Sequence, residues 1–400
     1  GAGSDVGRLR TVARARADGT WAITGEKMWI SFGDHDLTPR IGHCLLARTD
    51  RGLSLFLVPS HLPSGDGPEQ RNAVVVRRLE EKLGLHGSPT CALGFEEATA
   101  WLIGVEGRGL QQLFVMITNM RLSAGVQGLG IAAGAADIAF AYAHERRQGG
   151  APERPPVPIA EHVDIQRELI EMVARVETLR GLGIAIAVHA DLAAVETDAQ
   201  LRDDHSALVQ WLLPIFKTTG GEWGFDVASA AIQVLGGAGY KREWPVEQAL
   251  RDARIATIYE GTSGIQALDL LHRRLWRDRA KGLDVFLATA RADLAACPEP
   301  GRVQAERCYD FVESAAHHLQ AATCEARDAE AGASAFLHLA AIAATGWIAT
   351  RLAGLGDKSA ASRRLAAAGN YWLSNLADRA VPLHAEATRG AAPIDQFHNL

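Results

Sequence analysis

The sequence predicts an α+β protein: a small antiparallel β-barrel or sandwich, then helices almost to the end. Three observations predict it. Residues 1–105 hold short alternating apolar runs such as Trp21-Ala-Ile-Thr24, Met28-Trp-Ile-Ser31, Cys44-Leu-Leu-Ala47 and Leu53-Ser-Leu-Phe-Leu-Val58, and this period of two suits half-buried strands. Asp-Gly, Gly-Glu and Pro-Ser pairs between the runs supply tight turns. From Leu110 onward the apolar spacing becomes helical. Strands gathered ahead of long helices exclude a doubly wound sheet, in which the two alternate.

The elements follow in order. Gly109 to about Gln148 is one helical stretch, closed by Gly149-Gly150 and a proline-rich link from Pro152 to Pro158. A second helix starts near Ile159, and a third covers roughly Asp204–Leu235. Gly236-Gly-Ala-Gly239 breaks the chain, and Pro245 opens another helix, because proline suits a first turn. A further helix follows Thr262. After Pro298-Glu-Pro-Gly301 an Ala-rich segment has the composition of a small helical bundle. Three domains are expected: 1–105, 106–280 and 281–400.

Composition narrows the function. Of 400 residues, 22% are charged and the formal net charge is −6, which gives no electrostatic reason to expect nucleic acid. The charge-poor runs Gly109–Ala136 and Ala331–Thr350 are built of Ala, Gly, Ser and Thr. They are expected to be buried bundle helices, since a membrane span needs about 20 strongly apolar residues. The chain opens without a basic region followed by an apolar one. Five scattered cysteines form no CxxC pair, and a reduced, cytoplasmic protein is the simplest expectation.

Few residues suggest chemistry by themselves. Gly128-Leu-Gly130-Ile-Ala-Ala-Gly134 has the look of a nucleotide-binding loop, but it lies inside a helix with no strand before it, so close helix packing is expected. Asp34-His-Asp36 resembles a metal trio, yet adjacent residues rarely all point at one ion, and no metal site is expected. Arg121 is the sole charge in its long neutral run, and a buried charge needs a partner. Ser263 with Gln266 has the form of a capping box, and Gly261 permits a tight turn. Glu260 therefore sits just before a helix, beside apolar Ile258 and Tyr259. Partial desolvation would raise its pKa toward that of a general base. A solvated glutamate favoured by the helix dipole fits the same spacing.

Several motifs occur in one order. They are Gly1-Ala-Gly-Ser4-Asp5, Gly25-Glu-Lys-Met-Trp29-Ile-Ser31, Lys82-Leu-Gly-Leu-His-Gly-Ser88 and Gly104-Val-Glu-Gly-Arg-Gly109. Gln233-Val-Leu-Gly-Gly-Ala-Gly-Tyr240 and Arg251-Asp-Ala-Arg-Ile-Ala-Thr-Ile-Tyr-Glu260-Gly-Thr-Ser263 follow. Together they resemble the acyl-CoA dehydrogenase family over about residues 1–275. The loop at Gly33 and the tail beyond 280 resemble its long bacterial members, such as the 3-methylmercaptopropionyl-CoA dehydrogenases. The resemblance implies a middle β domain, a four-helix bundle and a C-terminal helical extension. It also implies FAD as cofactor, and desaturation of an acyl-CoA to a trans-2-enoyl-CoA.

The resemblance makes Glu260 the base that removes the α-proton. A minority of the family carries its base one residue before the Arg121 equivalent, but Met120 stands there and cannot accept a proton. Trp29, Ser31 and Thr262 match flavin contacts. Arg146 matches an arginine that meets the flavin pyrophosphate across a subunit boundary, and Gln233, Gly236 and Gly237 match the neighbour's share of that site. Ser4, Ser88, Arg121 and Gly261 match substrate-side positions. A homodimer or homotetramer and electron-transferring flavoprotein are the implied partners.

The chain also departs from the family. Gln148-Gly149 replaces a common Thr-Phe, and His86 a common arginine. The family begins with a helical domain, whereas this sequence starts just after the first flavin-contacting strand, so a fragment or half of a split protein is expected. An acyl-CoA oxidase, a DNA-associated flavoprotein of the same superfamily and a non-catalytic remnant are the alternatives. The near-neutral tail disfavours the DNA-associated one.

Overall fold

The computed structural model describes residues 5–63, 70–356 and 358–398. By its internal contacts the chain divides into two compact units, 1–119 and 120–400. The division falls inside the first long helix.

Among the described residues the first unit holds eight strands. They are β1 (Val12–Ala15), β2 (Trp21–Ser31), β3 (Gly42–Thr49), β4 (Gly52–Pro59), β5 (His61–Leu62), β6 (Gln70–Arg71), β7 (Val74–Leu79) and β8 (Thr90–Ile103). The order β2-β1-β3-β4-β8-β7, with β2 also paired to β8, closes the sheet into a barrel. Closure gives β2 a neighbour on both sides and so removes its free edge, which would otherwise pair with other chains. Ile23, Phe56, Val58, Leu93 and Ala98 fill the interior, all at most 1% exposed. The expected antiparallel barrel is thus present with one correction: β1 meets β3 in parallel, at Val12 and Arg48. The register between β2 and β8 slips between Lys27 and Ile30. Trp29, inside the slip, has φ +64° and stands 63% exposed. A bulge re-aims side chains in this way.

The helices are α1 (Gly109–Glu145), α2 (Val163–Val195), α3 (Ala199–Leu235), α4 (Pro245–Ala253), α5 (Ser263–Leu268), α6 (Lys281–Asp293), α7 (Gly301–Gln320), α8 (Ala326–Ala353), α9 (Ala360–Leu373), α10 (Leu376–Ala387) and α11 (Ala392–His398). A π-helical stretch, Asp269–Arg277, continues α5. Pro245 opens α4 as the sequence suggested.

Glycines set the contact between α1 and α3. A Cβ on Gly128 would lie 2.0 Å from the Gly220 carbonyl oxygen, and one on Gly224 would lie 2.9 Å from that of Gly128. Gly128 is therefore a packing glycine and not part of a nucleotide loop. Gly130 and Gly134 have open space and take no part.

Two apolar cores hold this unit. One joins α1, α2, α3 and Val246. The larger runs from Leu179 and Trp211 through Phe286, Tyr309 and Phe336 to Trp347 and Trp372. The helices beyond 280 and those before it thus bury their apolar faces against one another. Among the described residues three helices, α1, α2 and α8, are long and apolar enough to cross a membrane by length and composition. In α8 that stretch is 78% buried inside the fold.

Candidate active site

The chain after α4 tightens into a 3-10 turn, Arg254–Thr257, and then reverses. Glu260 sits at φ +55° and Gly261 at φ +89°. The left-handed region costs a residue with a Cβ roughly 1–2 kcal/mol, so something must hold Glu260 there. Glycine at 261 is required as well, since a Cβ would lie 2.6 Å from Gln266 Nε2. The helix start differs from the expected capping box. Thr262 is the N-cap, its Oγ1 accepting from the Ile265 N–H, while Ser263 Oγ donates to Glu222 Oε1 at 2.8 Å. Gln266 turns back to donate to the carbonyls of Glu260 and Gly261, at 3.1 and 3.3 Å.

The Glu260 carboxylate accepts no hydrogen bond, and its backbone N–H donates none, among the described residues. Both groups are available to a ligand. Burial pushes the Glu260 carboxyl above its ordinary value, opposed by the charges of Lys217 and Arg121. Arg121 itself is paired at 2.9 Å with buried Asp269, the first residue of the π-helical stretch. Arg273 and Arg274 share the same carboxylate at 3.1 and 3.8 Å. The buried ion pair expected of Arg121 is thus present, and its charge acts on Glu260.

Sequence reasoning missed two groups here. Lys217 on α3 is fully buried and donates to the carbonyls of Ala256 and Gly261, at 2.8 and 2.7 Å. Glu222, one turn further along α3, accepts from Ser263 and lies 2.9 Å from His338 Nε2 on α8. The signal used for Arg121 was present at Lys217 too, the sole charge between Asp204 and Glu222. An open groove beside this cluster is lined by Glu222, Arg254, Thr257, Thr262, Ser263 and Gly264.

Glu260, Gly261, Thr262 and Arg121 thus come together, and the other expected residues lie elsewhere. Arg146 follows α1, exposed and without an ion pair among the described residues. Gln233, Gly236 and Gly237 close α3, all exposed, and a Cβ on either glycine would meet nothing within 4 Å. Gln233 lies eleven residues past Glu222, about 17 Å along the helix. An unpaired guanidinium, an amide and open glycine backbone are the donor types that hold a diphosphate, so they fit the pyrophosphate of FAD.

On the barrel, Trp29 and Ser31 are exposed on β2, and the bare indole offers a flat face of the kind a flavin ring stacks on. Ser88 lies in a loop fastened by Lys82, whose Nζ donates to the Ser88 carbonyl at 2.7 Å. Ser4 lies outside the described residues. Asp34 is 3.8 Å from Arg71, and His35 Nδ1 accepts from the Leu37 N–H. Both are ordinary loop contacts.

Known proteins resemble this chain in sequence and in fold. Residues 1–98 match the family model for the acyl-CoA dehydrogenase middle domain, and 107–275 that for the C-terminal domain. A 3-methylmercaptopropionyl-CoA dehydrogenase of Ruegeria pomeroyi is 40% identical over 366 residues, or 86% of this chain and 62% of that protein. The chain therefore spans less than two thirds of that relative's length. An acyl-CoA dehydrogenase of Bacillus anthracis, solved with FAD, superposes with a TM-score of 0.76 at 21% identity, over 96% of this chain and 67% of that one. Caenorhabditis elegans ACDH-11, solved with C11-CoA, gives 0.76 at 22%, over 91% and 61%. At such identities the two structures speak for the fold alone. Two consecutive domain models in family order, meeting a carboxylate held in the turn before α5, settle the relationship: the chain belongs to the acyl-CoA dehydrogenase family.

Proposed function

We propose that this chain carries out FAD-dependent α,β-desaturation of an acyl-CoA thioester. The observation that carries the reading is Glu260: a carboxylate raised by burial, with both carboxylate and backbone N–H unengaged. Removing the proton α to a thioester puts charge on the thioester oxygen, which then needs a fixed donor. Glu260 offers both groups. Its carboxylate accepts the α-proton, and its own N–H is a donor for the oxygen. FAD, when bound, supplies the acceptor at N5 for the hydride leaving the β-carbon.

The other residues bind and orient. Arg146, Gln233, Gly236 and Gly237 would hold the pyrophosphate, each subunit completing its neighbour's site, so the working form is a homodimer or homotetramer. Thr262, Trp29 and Ser31 would meet the flavin, and Ser4, Ser88, Arg121 and Gly261 the substrate. Electrons then pass to electron-transferring flavoprotein, in the cytoplasm.

The test is anaerobic bleaching of FAD absorbance by an acyl-CoA, followed by stopped flow. Glu260→Gln is expected to keep FAD and acyl-CoA binding while slowing reduction by about 10²-fold or more, the scale of a general base. Reduction near the parent rate with flavin bound would assign the proton to another residue. Stoichiometric hydrogen peroxide in air would indicate an oxidase.

A further inference from the structure

We propose that Lys217 is a positioning residue that locks the turn bearing Glu260 into its left-handed conformation, an inference resting on Glu260 being the base. A fully buried ammonium costs several kcal/mol in desolvation unless its hydrogens are satisfied. Here the ammonium finds no carboxylate within ion-pairing distance among the described residues. It spends two N–H donors on backbone carbonyls instead, those of Ala256 and Gly261. These carbonyls bracket the reversal that contains Glu260.

The surroundings are shaped for this reach. A Cβ on Gly221 would lie 2.8 Å from the Ala256 oxygen, so α3 runs directly against the turn. Lys217 stands four residues earlier on the same helix face. Gln266, fully buried, holds the Glu260 and Gly261 carbonyls from the other side. The turn is thus gripped by its carbonyls from α3 and α5, which leaves the base's carboxylate and N–H free.

The lysine also acts through charge. The charged groups facing it are Glu260 and Glu222, which favour its proton, and Arg121, which opposes it. Burial outweighs them and lowers the ammonium to about 8. Its charge in turn favours ionised Glu260, so loss of that charge makes the base harder to ionise.

The variants are Lys217→Met, close to isosteric and without donors, and Lys217→Gln, shorter and neutral. In the 400-residue chain without substrate, amide hydrogen exchange over 257–262 should quicken by about tenfold or more, while α10 exchanges as before. In the FAD-loaded chain, reduction by acyl-CoA should slow by about 10–100-fold, the scale of a misplaced catalytic group. The acid limb of its pH profile should move to higher pH, with acyl-CoA affinity nearly kept. Unchanged exchange at 257–262 with an unmoved acid limb would overturn the proposal. So would exchange that quickens equally everywhere, which is the mark of a merely structural lysine.

If neither variant folds, the parent chain decides. The Ile258 and Tyr259 amides, both bonded to the Ile255 carbonyl inside the turn, must then be protected comparably with α10, and exchange there at the rate of an open loop overturns the proposal. A parent chain that binds FAD and acyl-CoA but never reduces the flavin would sink the desaturase reading alone, leaving the exchange measurement to judge Lys217.

Discussion

At the scale of single residues, the site is built from charges taken out of water and then matched. Asp269 is the hub, its side chain 4% exposed and shared by Arg121, Arg273 and Arg274. Arg121 has no other carboxylate at bonding distance among the described residues, and its Nε has no partner. Asp269→Ala should therefore destabilise the chain by about 3–5 kcal/mol, the cost of stranding a buried charge. Urea unfolding would measure it. Arg121→Met added to Asp269→Leu should recover most of the loss, since an apolar pair of similar volume needs no partner. A loss under 1 kcal/mol in Asp269→Ala would mean that water reaches Arg121. The sequence exposed Arg121 because a lone charge in a neutral run demands an explanation. It hid the left-handed Glu260, because a positive φ leaves no mark on the residue that adopts it, only a glycine beside it.

At the scale of elements, helix ends and crossings set the geometry. The periods and breakers that predicted α1 to α5 from the sequence were sound, because apolar spacing, proline and paired glycines act locally. The cap of α5 was not legible, since Thr262 and Ser263 are both good caps and only the extended backbone at Thr262 decides. The contact between α8 and α3 was equally hidden, because His338 and Glu222 are 116 residues apart. That contact predicts a pH dependence. The hydrogen bond with Glu222 raises His338. Burial would raise Glu222, but the bonds and charges from His338, Ser263 and Lys217 outweigh it and hold Glu222 low. A raised histidine contributes fully below its unfolded value of about 6.5, and that contribution is lost as pH rises through the folded value. A lowered glutamate contributes above its unfolded value of about 4.3 and fails as acid rises through the folded one. Stability from this pair should thus be greatest between those two unfolded values and decline above neutrality. His338→Ala should flatten the decline above pH 6.5, read from melting temperature against pH. Identical slopes in the two proteins would remove His338 from the account.

At the scale of the whole chain, the Ala-rich region beyond 280 is the least legible part of the sequence. Alanine carries little periodic contrast, and the composition alone suggested a bundle standing by itself. The structure instead threads these helices into the core of the preceding ones. Trp211 of α3 meets Phe336 of α8 edge-on at 6.2 Å, and Trp223 of α3 meets Trp372 of α9 at 5.2 Å. Arg379 of α10 lies over the Trp372 ring and forks onto Glu171 of α2, at 3.0 and 2.7 Å. Leu179, Leu182, Trp211 and Phe216 belong to the same buried cluster as Phe286, Phe336, Trp347 and Trp372. Ending the chain at residue 280 should therefore strip the bundle of its larger core. The shortened protein should lose its cooperative thermal transition and bind a hydrophobic dye, as partly packed states do. Trp347→Ala, a milder probe of the same core, should cost about 3–5 kcal/mol, as truncation of a buried large aromatic does. Cooperative melting of the shortened chain at the parent temperature would show that the bundle stands alone, and would make the extension an appendage after all.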